Sequence, residues 1–127
     1  MEDKAILDLI ASELRSAAYL AGGEAAWPRQ EAITAIEQFA SSGYVVLGVE
    51  TWLPTVPGPT IPFPYIYVWE ITPRRELESW AQFVARSKSE SQKFIQGFEW
   101  DPSDKENLDA IPFFNFTLCP ESEYGQK

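Results

Sequence analysis

Histidine is absent from all 127 residues. Its absence removes the commonest general base, the commonest metal ligand and the nucleophile triads built on an imidazole. Cysteine is nearly absent too. The one thiol, Cys119, cannot close an intramolecular disulfide or supply a thiolate zinc cluster, so the chain is not a stapled secreted scaffold and a reducing compartment is expected. Basic residues are few: ten Lys and Arg stand against nineteen Asp and Glu, a net charge of −9. Nucleic acid is therefore a poor partner, because a phosphate backbone is held by cations that release its counterions. No apolar run approaches the roughly 20 residues of a membrane span, and MEDKAILDLIASELRS lacks the uncharged core of a signal peptide. The expected location is the cytoplasm, with no membrane partner.

Apolar and aromatic residues, by contrast, are plentiful. A chain of 127 residues with 45% hydrophobic content predicts one domain spanning 1–127, which buries about two thirds of its unfolded surface. Five Trp, five Tyr and eight Phe exceed what packing usually demands, leaving some aromatic surface for a partner. Acidic surfaces attract basic proteins or metal ions, mainly by steering. Much of the charge is local: Glu99 to Glu123 holds seven acids against Lys105, a net of −6.

Apolar positions Ile6, Leu7, Ile10, Leu14, Ala17 and Ala18 follow a three-and-four spacing, predicting a helix near 4–20 that is capped by Asp3 and stopped by Gly22-Gly23. A second helix is expected near 28–42, with Pro28 opening it, Ala32, Ile33, Ile36, Phe39 and Ala40 inward, and Gly43 at its stop. The pattern then changes to strand-like runs. Strands are expected near 44–53, 65–71 and 112–118, and a helix near 75–96 with Leu77, Trp80, Ala81 and Val84 inward and a break near Ser87 to Ser91. Five prolines between Pro54 and Pro64 predict a stiff, protruding connection. The tail from Pro120 is expected to be mobile. These elements make an α+β fold, with helices packed on one face of a small, mainly antiparallel sheet.

A hairpin centred near Pro59 sets Glu50 opposite Val68 and gathers Glu50, Trp52, Ile66, Val68 and Glu70 on one face. Burying unpaired carboxylates is costly, so Glu50, Trp52 and Glu70 are expected on the open face, with Val49, Leu53, Tyr67 and Trp69 toward the helices. Two carboxylates on one face invite comparison with glycosidase pairs, whose separation is about 5 to 10 Å. A sugar hydrolase also needs a cleft with further hydrogen-bonding groups, so the pair reads as the polar half of strand alternation and not as catalytic. The run DPSDKENLD, Asp101 to Asp109, has acidic spacing but neither the mid-loop glycine nor the terminal glutamate of a calcium loop, so no metal and no cofactor is implied. Cys119 has no histidine to activate it and reads as a small residue at a strand end. Exposed Trp52 and Trp100 beside Glu50, Glu70, Asp101, Asp104, Glu106 and Asp109 would form a partner-binding surface, with aromatics supplying area and acids supplying orientation.

The stretch AWPRQEAITAIEQFASSGYVVLGVETW resembles the immunity protein 40 family of bacterial polymorphic toxin systems. It has a Trp before a short helix, an aliphatic strand after Gly43, then Leu-Gly and an acid followed by an aromatic. Where that pattern has a second glycine and often Asp, this chain has Val49 and Glu50. The resemblance, over about Ala26 to Glu70, implies a cytoplasmic antidote that binds a cognate toxin and blocks its active site without catalysis, and a basic toxin would suit the acidic chain. The residues alone also admit a small carboxylate-dependent hydrolase or a generic protein-interaction subunit, and they set no oligomeric state.

Overall fold

The β-strand Tyr44–Leu53 organises the molecule, and a computed structural model describes it within residues 7, 9–21, 23–53, 61–62, 68–100 and 111–125. Six strands form one sheet: β1 (Tyr19–Ala21), β2 (Glu24–Pro28), β3 (Tyr44–Leu53), β4 (Ile61–Pro62), β5 (Val68–Glu70) and β6 (Phe113–Pro120). Their order is β1-β2-β6-β3-β4, with β5 also on β3, and every pairing is antiparallel. Among the elements described throughout, three helices accompany them: α1 (Ser12–Ala17), α2 (Arg29–Ser41) and α3 (Trp80–Gln96). Because β6 lies between β2 and β3, the β2-α2-β3 crossover steps over one strand. The β5-α3-β6 crossover likewise steps over β3. The fold is the expected α+β arrangement.

Core packing follows the aromatic residues. Phe39 and Ile36 of α2 and Ile95 of α3 meet Val46, Val49, Phe114 and Phe116 of the sheet, with Trp27 stacked on Phe116 at 5.5 Å and Phe39 edge-on to both rings. Such ring pairs contribute about 0.5–1.5 kcal/mol each beyond their buried area. A second cluster joins Val45 to Phe83 and Val84 of α3, with Trp80 and Tyr124 against it. Strand β3 is continuous, but its register against β6 shifts between Val46 and Gly48. Beyond the end of β5, the Val46 N–H donates to the buried Ser87 hydroxyl at 3.0 Å, and that hydroxyl donates to the Val84 carbonyl. A buried serine thus satisfies an amide that the ladder leaves unpaired.

Several boundaries differ from the sequence expectation for physical reasons. The first helix is shorter than 4–20, since Ala18 is extended and Tyr19–Ala21 is a strand. Register Ala21↔Glu24 joins β1 to β2 in a tight hairpin, and Gly23 adopts φ 81° there. Gly23 thus belongs to a turn between strands and not to a helix stop. Asp3 lies outside the described residues. Helix α2 matches its expectation closely, and its end is closed by the Gly43 N–H donating to Ala40.

Helix α3 starts at Trp80 and not near 75, because Ser79 and Gln82 form a capping box. Leu77, expected inward, therefore precedes the helix and is 95% exposed. Ala81 is exposed as well, and α3 runs unbroken through Ser87 and Ser91, both fully buried. Within the proline-rich stretch Ile61–Pro62 pairs with Trp52 and Leu53, so that part is sheet. Residues 54–60 and 63–67 lie outside the described set. After Pro120 the chain packs against the body: Glu121–Glu123 is a 3₁₀ turn, and the Tyr124 ring lies 5.2 Å from Phe83 and 5.6 Å from Trp80.

Candidate functional site

The expected hairpin register is present. Glu50 pairs with Val68 on one side and Asn115 on the other, while Glu70 pairs with Gly48. Glu50 and Glu70 therefore share a face as diagonal neighbours, a placement that separates Cβ atoms by somewhat less than about 7–8 Å. Val49 is buried and Trp69 packs against the core on the other face, as expected.

The two carboxylates have different surroundings. Glu50 is half-buried and its Oε1 accepts the Trp52 indole N–H at 3.1 Å. Glu70 is exposed and has no ion-pair partner among the described residues. Beside Glu70 lies an open groove of about 300 Å³, lined also by Gly48, Thr117, Tyr124 and the apolar Leu47, Ile71 and Pro73. At Gly48 the chains approach closely: a Cβ there would meet the Trp69 carbonyl oxygen at 3.1 Å, and that backbone would have to give by a few tenths of an ångström. Thr117, Tyr124 and Pro73 were not singled out in the sequence. The diagonal relation of position 117 to 50 across β6 follows from strand pairing, which no single strand reveals.

Two aromatic expectations are corrected. Trp52 shares the Glu50 face but is only 2% exposed, and Trp100 is 7% exposed and edge-on to Phe98 at 5.0 Å, within the main core. Neither is an exposed anchor. Trp80, expected in the core, is half-buried: its indole N–H donates to the Gly43 carbonyl at 2.8 Å, and the Arg74 guanidinium covers its ring. Asp101, Asp104, Glu106 and Asp109 lie outside the described residues. Cys119 is buried at the end of β6, and desolvation raises its thiol pKa, which suppresses the nucleophilic thiolate.

Charged groups elsewhere hold structure together. Arg86 meets Glu78 at 2.8 Å and also donates to the Thr72 hydroxyl and the Thr72 and Pro73 carbonyls. Its hydrogen bond holds the Glu78 carboxyl at a pKa of about 2. At the other end of α3, Arg29 donates to the carbonyls of Ile95, Gln96 and Phe98. A guanidinium there satisfies terminal acceptors and complements the helix dipole. Among the described residues no group of three potential metal ligands is brought together, and no helix is long and apolar enough to cross a membrane. Comparison with models of known families, with curated proteins and with solved structures gives no match.

Proposed function

We propose that this chain is an antidote of the immunity-protein type, acting in the cytoplasm by binding a cognate basic toxin and covering its active site. The observation that carries the reading is the sheet face where Glu70, exposed and without an ion-pair partner among the described residues, adjoins an open groove while Glu50 is engaged by Trp52. One carboxylate braces the fold and the other is available to a partner. The net charge of −9 supports steering of a basic protein, and a chain without histidine suits stoichiometric inhibition better than acid–base turnover. The resemblance of AWPRQEAITAIEQFASSGYVVLGVETW to immunity protein 40 agrees with this reading.

Co-expression provides the test. A toxic C-terminal domain from a large secreted protein encoded beside this gene should lose its toxicity and form a stoichiometric complex on size exclusion. Undiminished toxicity together with no complex rejects the antidote. The carboxylate-hydrolase alternative makes a different demand: a hydrolytic activity of the purified protein that vanishes in a folded Glu50→Gln/Glu70→Gln double variant.

A further inference from the structure

We infer that the groove beside Glu70 receives the guanidinium side chain of an arginine presented by a protein partner. The inference deepens the antidote reading by naming what the surface recognises. Its first basis is preorganisation. Arg86 fixes the Thr72 and Pro73 carbonyls, Ile71 N–H donates to the Leu47 carbonyl at 3.0 Å, and the Tyr124 hydroxyl accepts the Arg74 N–H at 3.0 Å. The Tyr124 ring is further held by Phe83 and Trp80. A cavity built this way loses little entropy when filled.

Charge and shape select the occupant. Glu70 supplies an exposed carboxylate without an ion-pair partner among the described residues, and Thr117 adds an exposed hydroxyl. Among the described residues, Arg74 is engaged with the Trp80 ring and the Glu78 carbonyl, and Arg86 with Glu78. A groove of about 300 Å³ lies at the small end for ligand sites, suited to one long side chain. Its mixed lining suits a planar, weakly hydrated guanidinium better than a compact ammonium. Apolar and aromatic surface can cover the faces of the guanidinium while its fork of donors meets a carboxylate.

The test uses N-acetyl-arginine methylamide as probe and its citrulline counterpart as an uncharged control, followed by amide NMR on the full chain. Arginine should shift the amides of Gly48, Glu70 and Thr117 as a cluster, with saturation in the millimolar range. Glu70→Gln should weaken binding about tenfold or more, as for loss of a charged hydrogen bond, and Thr117→Trp should block the groove. Both positions are exposed, so an otherwise unchanged spectrum verifies the fold. Glu13→Gln, which removes the same charge from α1, should bind normally.

An equal response to citrulline, shifts spread over the acidic surface, or undiminished binding by Glu70→Gln would each overturn the inference. The two readings can fail separately. Toxin neutralisation undisturbed by Glu70→Gln and Thr117→Trp leaves the antidote standing without the groove. Localised arginine binding with no toxin complex leaves the groove without the antidote.

Discussion

Thr51 is a hydroxyl in the wrong medium. It is 1% exposed on β3, and its Oγ1 has no hydrogen-bond partner among the described residues. A buried unsatisfied polar group costs about 1–3 kcal/mol, so Thr51→Val should raise the denaturation midpoint by the equivalent of about 1 kcal/mol with an unchanged denaturant slope. A lower midpoint would show that the hydroxyl is bonded. Trp52 behaves in the opposite way. Its burial and its bond to Glu50 make Trp52→Ala a folding lesion of about 3–5 kcal/mol, visible in equilibrium unfolding without any partner. If stability were unchanged, Trp52 would be the exposed anchor that the sequence suggested. Alternation correctly placed Glu50, Trp52 and Glu70 on one face, because period two is a property of the strand itself. Exposure is not such a property. It depends on what covers each position, and neither Trp52 nor Trp100 carries that information locally.

Strand β3 and helix α2 were legible because their signals are local: β-branched density after Gly43, and apolar spacing bounded by Pro28 and Gly43. The β1–β2 hairpin was hidden by alanines that fit a helix as readily as a strand, although two adjacent glycines between short runs are themselves a hairpin signal. The start of α3 was also written locally, in the Ser79-to-Gln82 spacing. Thr72, Pro73, Glu78 and Arg86 show what was not: a side chain on α3 tying down the segment before it. This pair makes a pH prediction. Glu78 has its carboxyl pKa lowered from 4.5 to about 2 by Arg86, so its stabilising contribution is complete above the unfolded value near 4.5 and fades as pH falls toward 2. Melting temperatures of the native chain and of Glu78→Gln should therefore differ most above pH 4.5 and converge toward pH 2. A constant gap would assign the effect of Glu78 to packing.

At the scale of the whole molecule the relevant quantity is the field. Seven of nineteen acids fall between Glu99 and Glu123, where only Lys105 opposes them. The groove beside Glu70 takes Thr117 from that same segment, but it offers a short-range contact. Long-range charge and a short-range contact act on different rate constants: distributed charge sets encounter and its salt dependence, whereas a desolvated charged contact mainly sets the lifetime of the complex. Neutralising Asp101, Asp104, Glu106 and Asp109 together should therefore slow association with a basic toxin and flatten its dependence on ionic strength, with dissociation little changed. Glu70→Gln removes a single charge and should chiefly speed dissociation. Stopped-flow measurements across a salt series separate the two. Association indifferent both to salt and to the four neutralisations would remove the acidic segment from the mechanism. Glu70→Gln acting on association alone would make that carboxylate part of the field and leave the groove without a contact.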